Sequence, residues 1–299
     1  MIGGIGRTAI TGLLLALMVV LAGAGTKAPP KFDPPMTVVV VRSSVSGCEP
    51  DCPQWIAAEG RITGNTPALF KKALKLAGKK RLPVIITSPG GDVDAALAIG
   101  TLIRARKLDV AVGWTFFTGC WPQLKGCKLP KQQAGVYRGT AVTYRAYCAS
   151  ACPFILAAGQ QRLLGPGAAA GVHQISTTMI EDRTLYRESY IVVKGKKKVL
   201  SRTLISRKPV TRSVTTKLGK SQRGKLTGYL KDMGVRAEFL GIFDKAPPSS
   251  IYVLQPQEAA STKLVTAFLA AGSLVDASRC QGAARADNCV KLAPPSRKP

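Results

Sequence analysis

The chain has 299 residues, 46% of them hydrophobic, which is enough apolar material for one sizeable core or at most two small ones. Lys and Arg number 43 against 16 Asp and Glu, a formal charge of +27; this excludes an acidic solvating chain. It reads either as a surface for a polyanionic partner or as a soluble basic chain whose charge limits self-association. With only one histidine, the 8 cysteines lack the His partners of a mixed zinc site, so metal binding is the weaker reading of their spacing and no cofactor is expected.

Residues 1–24 carry Arg7, an apolar run ITGLLLALMVVL and a close of small residues, Ala22-Gly23-Ala24. That is the layout of a cleaved secretory signal, and it predicts a periplasmic or secreted product. The run is short for a membrane span, which needs about 20 residues; an uncleaved N-terminal inner-membrane anchor is the alternative. Residues 25–35 are a Pro-rich linker. Cys48, Cys52, Cys120, Cys127, Cys148, Cys152, Cys280 and Cys289 fall into four local pairs. In an oxidising compartment disulfides between neighbours are expected, although eight cysteines allow about 105 connectivities. A bridge from Cys148 to Cys152 must span a strand end and a first helical turn.

From residue 36 the pattern is that of a layered α/β domain, expected over 36–275. MTVVVVR at 36–42 is a β-branched run suited to a strand buried on both faces. Residues 55–63 read as a second strand containing Gly60. Thr66-Pro67 opens a helix to about Leu76, with Leu69, Phe70, Ala73, Leu74 and Leu76 on its apolar side and lysines on its wet side. LPVIIT at 82–87 is the next strand. It runs through Ser88-Pro89-Gly90-Gly91 into a helix over 93–107, opened by Asp92 and Asp94. Val110-Ala111-Val112 is a strand, followed by a loop with two cysteines. Residues 139–144 lead to Cys148-Ala149-Ser150-Ala151-Cys152, a helix at 153–158 and a strand at 167–173. This alternation predicts a parallel or mixed sheet flanked by helices.

Beyond Glu181 the composition turns basic. A hairpin of 190–193 and 198–204 across Gly195 is expected within an insertion at 183–225, then a helix at 226–233, a strand at 251–254, a helix start at Pro256, and a tail at 276–299 stapled by Cys280 and Cys289.

Acyl transfer needs a hydroxyl beside a base and backbone N–H donors for the developing oxyanion. Ser150 sits between alanines where a strand hands over to a helix, and the Ala151 amide is a natural donor there. Gly91, at another strand end, offers a second. His173 ends the following strand, and in a parallel sheet the carboxyl ends of strands lie together, where ligands bind. Against this stands the plain reading of a small core serine and a structural histidine.

The segments Ser88-Pro89-Gly90-Gly91-Asp92-Val93, Cys148-Ala149-Ser150-Ala151-Cys152 with Gly159 and Arg162, and Gly171-Val172-His173-Gln174 resemble, in order and spacing, the motifs of the ClpP protease family. The likeness spans about 36–174 and, more weakly, reaches about 271. The whole resembles the ClpP/crotonase superfamily, and most closely its exported bacterial ClpP-like proteins. The resemblance implies a serine hydrolase acting on a peptide or protein substrate, with Ser150 as nucleophile, His173 as base, and Gly91 and Ala151 as oxyanion hole. The family's acidic third member has no clear match; Asp244 is the nearest candidate and Asp232 a poorer one. A Ser-Lys pair is a further option, though no lysine stands out. The basic segment 183–236 occupies the place of the family's extended handle. It reads as a homo-oligomer contact, a grip on an acidic envelope component, or a solvated loop. The scarcity of interleaved aromatics argues against nucleic acid. The rival to the enzyme is an inactive ClpP-like binding or scaffolding protein. A crotonase-type acyl-CoA enzyme ranks third, because export removes it from its cofactor pool.

Overall fold

The computed structural model describes residues 34–281 and 285–291. The expected signal at 1–24 and all but the last two residues of the linker lie outside these described residues, and so do 282–284 and 292–299 of the tail.

The main sheet runs in the order β5-β6-β1-β2-β3-β4-β8. Its strands are β1 (Thr37–Ser43), β2 (Asp51–Glu59), β3 (Val84–Thr87), β4 (Val110–Val112), β5 (Trp114–Phe117), β6 (Tyr137–Val142) and β8 (Arg162–Leu164). Pairing is parallel across β1/β6, β2/β3, β3/β4 and β4/β8, and antiparallel across β1/β2 and β5/β6. A mixed sheet flanked by helices is therefore what the alternating pattern produces. A second, three-stranded sheet holds β7 (Tyr147–Ala149), β9 (Ala169–Val172) and β12 (Tyr252–Val253), with β7 and β9 parallel. The two sheets meet where Ser88, just past β3, bridges Cys148 in β7.

The uninterrupted apolar runs of the central strands follow from burial on both faces. In β2, Ile56 and Ala58 face a core shared with the helices, whereas Trp55 and Ala57 face a second core with Ile85, Phe117 and Leu163. Trp55 carries its polar edge into that second core by donating Nε1–H to Thr115 Oγ1 at 3.0 Å. Helices α1 (Thr66–Ala77), α2 (Val93–Ala105) and α3 (Cys152–Ala157) lie against the first core, joined by α4 (Lys220–Asp232), α5 (Phe239–Ile242) and α6 (Pro256–Ser261). Asp92 caps α2 by accepting from the Ala95 amide at 2.8 Å.

Three elements differ from the sequence reading. Trp114–Phe117 is a strand at the sheet edge, where a loop was expected after Val112. Cys289–Lys291 forms β13, which adds antiparallel to the start of β2, so the tail is pinned by main-chain pairing as well as by Cys280–Cys289. The largest difference is the basic insertion. The short hairpin expected at 190–204 is a two-stranded arm, β10 (Thr177–Val193) with β11 (Lys196–Thr215), carrying register shifts at three places. Each shift offsets the in/out alternation, so a period-2 search finds only the stretch near the turn.

Candidate active site

The glycine-rich turn after β3 is tied to the serine segment by main-chain bonds. The Ser88 amide donates to the Tyr147 carbonyl at 2.8 Å, and the Ala149 amide to the Ser88 carbonyl at 2.9 Å. Ser88 is buried, and its Oγ accepts from the Gly90 amide at 3.1 Å. The Gly90 carbonyl accepts from the Ile62 amide at 2.7 Å, and the Asp92 amide donates to the Ile62 carbonyl at 3.0 Å. Gly90 and Gly91 have φ of +101° and +135°, angles open to glycine and strained for any other residue. Space makes the same demand. A Cβ on Gly90 would stand 2.5 Å from Ser150 Cβ, and one on Gly91 would fall on the Ile62 carbonyl.

Ser150 sits one residue past β7 with φ +59°, the left-handed region, rare for a non-glycine residue. Its amide donates to the Gly171 carbonyl of β9 at 2.9 Å, so the neighbouring strand holds the bend. α3 follows at once, with Pro153 in its first turn, where a missing N–H is harmless. Cys148 and Cys152 are bonded across this turn, their Cα atoms 5.1 Å apart, so that a disulfide brackets the serine. All eight cysteines pair with their neighbours in this way. Among the described residues, the amides of Gly91 and Ala151 donate to no acceptor, although those of Gly90, Asp92 and Ser150 all do.

His173 follows Val172, the last residue of β9, one strand from Ser150, and is half-buried. Its Nδ1 lies 2.8 Å from the Gln174 carbonyl oxygen. A carbonyl only accepts, so in the neutral imidazole this contact places the proton on Nδ1 and the lone pair on Nε2. The Gln174 amide in turn donates to the Ala246 carbonyl at 2.9 Å, fixing the segment that supplies the oxygen. No hydrogen bond joins Ser150 Oγ to His173 in this structure.

Asp244 does not reach the histidine. It lies exposed on the short turn Phe243–Lys245, beside a cleft of about 420 Å³ lined by Thr216, Lys217 and Arg223, and it makes no ion pair or hydrogen bond to the ring. Asp232 is exposed at the end of α4. Main-chain bonds thus bring Ser150, Gly91 and Ala151 together beside the strand that ends before His173, and neither candidate acid bonds the histidine ring. The Gln174 carbonyl takes the position against Nδ1 that an acid would occupy. No residue type signals a main-chain oxygen, so sequence reasoning had no means of finding it.

A cleft of about 410 Å³ opens beside Gly91, between the start of α2, the root of β10 and α4; Val93, Ile175, Thr177, Leu218 and Leu226 line it. Lys225 and Asp94 form an ion pair at its rim, 2.7 Å apart. The helix behind the serine is braced by Tyr229 of α4, whose hydroxyl donates to the Phe154 carbonyl at 2.7 Å through the space left by Gly100. Burial pushes the Tyr229 phenol well above its ordinary value, keeping it a donor.

Glu59, at the end of β2, is a further, half-buried acid that spacing did not reveal. Burial pushes its carboxyl up to about 7, opposed by the Thr115 amide, which donates to Oε1 at 2.6 Å. Among the described residues no three His, Cys, Asp or Glu side chains converge as a metal-binding group.

No protein-family model matches the chain, and no curated protein does. The fold itself defines the class: a mixed α/β sheet layer flanked by helices, in which a serine stands at a strand-to-helix bend. Among solved structures, the chain is similar to a serine-to-alanine variant of 1510-N, a membrane-bound stomatin-specific protease. Identity is 14%, covering 79% of this chain and 88% of that one, with a TM-score of 0.40. A lysine-to-alanine variant of that protease in complex with a substrate peptide matches at 14% identity over 70% of this chain and 71% of that one, TM-score 0.37.

Proposed function

We propose that the chain is an exported serine hydrolase of ClpP-like build that cleaves peptide bonds through an acyl-enzyme on Ser150, without an ATPase partner. One observation carries the reading: a non-glycine residue held at φ +59° on a strand-to-helix bend, pressed from behind by Gly90 and flanked by two unused amides. Backbone strain of about 1–3 kcal/mol persists only where the surroundings enforce it, and such sites cluster at catalytic centres. A bend of this kind exposes the hydroxyl of a nucleophile.

In the proposed reaction, Ser150 Oγ attacks the scissile carbonyl as His173 Nε2 takes its proton. The carbonyl oxygen becomes an oxyanion that receives the Gly91 and Ala151 N–H groups. Collapse breaks the C–N bond, and the imidazolium returns its proton to the departing amine. Water, deprotonated by the same Nε2, then frees Ser150. The Ser150–His173 hydrogen bond forms when substrate draws the two side chains together; such bonds are often long in free enzymes. The Gln174 carbonyl sets the tautomer but brings no negative charge to the imidazolium. Replacing the triad acid by a neutral group cost about 10⁴ in one protease, where the tautomer was also lost, so slow turnover is expected. Export is supported by the four disulfides, which suit an oxidising compartment. Among the described residues no helix is long and apolar enough to cross a membrane.

A second reading, an inactive binding protein on the same fold, is favoured by the absence of a carboxylate on His173 and of a Ser150–His173 hydrogen bond. Labelling of the oxidised protein with a fluorophosphonate separates the two. Labelling abolished by both Ser150→Ala and His173→Ala supports the hydrolase; an unlabelled, folded sample removes the hydrolase reading and turns the search to partners of the basic segment.

A further inference from the structure

Among the described residues, the arm formed by β10 and β11 pairs with no third strand. A lone two-stranded ribbon is marginally stable in water, so its composition should be soluble throughout. It is not. Around the turn Ile191, Val192, Val193, Val199 and Leu200 are 43%, 64%, 49%, 46% and 60% exposed. Lys194, Lys196, Lys197 and Lys198 stand among them. The register distributes the two chemistries over both faces. Val192 lies opposite Lys197 and Tyr190 opposite Val199, while Val193 lies opposite Lys196 and Ile191 opposite Lys198, one residue out of phase. Leu200 is the extra residue of the register shift at Ser189/Tyr190.

From Arg183 to Lys208 the arm holds nine Lys and Arg and one carboxylate, Glu188, which is taken by Lys197 at 2.9 Å and Arg202 at 3.2 Å. Lys194, Lys196 and Lys198 form no ion pair with a described residue. Tyr190 lies just behind the aliphatic tip, with Lys197 Nζ 4.5 Å from its ring centre.

We infer that the tip of this arm, residues 190–200, docks on an anionic lipid bilayer, placing its aliphatic side chains at the headgroup–acyl boundary. Tyr190 then lies at the interface and the lysines reach back to lipid phosphates. A protein groove covers one face of a ribbon, whereas a bilayer receives both faces at once, and here both carry aliphatic residues. A second copy of the chain would set one basic arm against another. The outer edges of the ribbon have unpaired main-chain groups, which restricts entry to the boundary and forbids crossing. From Ile191 to the turn is about 10 Å at 3.3 Å per residue, matching the 5–10 Å depth of interfacial segments. This inference is independent of whether Ser150 is a nucleophile.

The test uses the full chain carrying Val193→Trp and vesicles whose acyl chains are brominated, which quench only an inserted indole. Every variant keeps the same N-terminal region, so differences report the arm. With phosphatidylglycerol vesicles the added indole is expected to be quenched; with phosphatidylcholine it is not. Adding Lys196→Gln, Lys197→Gln and Lys198→Gln is expected to raise the lipid concentration at half-quenching about 100-fold, at roughly 1 kcal/mol per basic residue. Val192→Asn with Leu200→Ser, which keeps every charge, should raise it about 100-fold or more, since burying each such side chain is worth roughly 1.5–3 kcal/mol. Absence of quenching in phosphatidylglycerol, or equal quenching in phosphatidylcholine, overturns the inference. Retention of binding after the aliphatic replacements also overturns it, pointing to a purely electrostatic grip on an acidic polymer or protein. So does concentration-dependent self-association, without vesicle binding, that the same substitutions abolish.

Discussion

Gly90→Ala tests how the serine bend is held. At φ +101° an alanine is strained, at about 1–3 kcal/mol. Its Cβ would stand 2.5 Å from Ser150 Cβ, 2.6 Å from the Ala149 carbonyl oxygen and 2.9 Å from the Ala151 nitrogen. Favourable carbon contacts begin near 3.5 Å. None of these atoms can swing away as a flexible side chain would. The Cys148–Cys152 disulfide and the bond from Ser150 N to Gly171 O hold the turn in place. Overpacking of this kind costs about 1–3 kcal/mol, so the sum expected is about 4 kcal/mol. The control is Gly78→Ala, at φ +64° with nothing within 4 Å of the added carbon, where only the backbone cost of about 1–3 kcal/mol applies, without the overpacking. Urea unfolding of the oxidised proteins measures both. Fluorophosphonate labelling of Gly90→Ala should fall about 100-fold, the usual consequence of moving a reacting group by 1 Å. If Gly90→Ala is no less stable than Gly78→Ala, the close packing of Gly90 on Ser150 is refuted and with it the argument that the bend is enforced.

Other outcomes follow from particular polar groups. Glu59 has its carboxyl raised to about 7, above the 4.5 of a free glutamate, so stability is complete below pH 4.5 and declines as pH rises to 7. The ceiling from linkage is roughly 3 kcal/mol, and about 2 kcal/mol is expected for a side chain still partly in contact with water. Unfolding midpoints of Glu59→Gln, which retains an acceptor for Thr115, should lack that decline between pH 5 and 8; a decline equal to wild type would sink the assignment. Glu49 behaves oppositely. The Arg42 guanidinium beside it, then Arg138, hold its carboxyl at about 2, so its contribution is present above pH 4.5 and lost as pH falls through 2. With 44% of the side chain exposed, screening limits this to under about 1 kcal/mol, read as a flatter acid limb in Glu49→Gln. Tyr229→Phe should cost about 1–2 kcal/mol in urea through the unpaired Phe154 carbonyl, and Gly100→Ala more, because its methyl would occupy the space of the hydroxyl itself.

Much of the fold could be read from residue types because it depends on them. The β-branched runs at 36–42 and 82–87 fall in strands buried on both faces, and Thr66-Pro67 and Asp92 open helices as their chemistry favours. The small residues around Ser150 and the paired glycines marked the two turns that the structure joins, since only small or absent side chains allow that approach. Neighbouring cysteines met because short loops close easily. Other features depended on atoms that every residue shares or on partners far along the chain. Cys289–Lys291 reaches β2 across more than two hundred residues through main-chain hydrogen bonds, which carry no residue signature. The edge strand Trp114–Phe117 was hidden because its partner, Tyr137–Val142, lies beyond a cysteine loop. The full reach of β10 and β11 was masked because a ribbon without a core has no side chosen for apolar residues. Sequence alone therefore determined the layered class and marked the candidate serine, histidine and glycines, while the pairing of neighbouring cysteines was an expectation that the structure met. Only the tertiary structure decided that Ser150 is bent into the left-handed region, that a carbonyl rather than Asp244 bonds His173 Nδ1, and that Glu59 is half-buried, since each depends on which backbone or surface packing brings near.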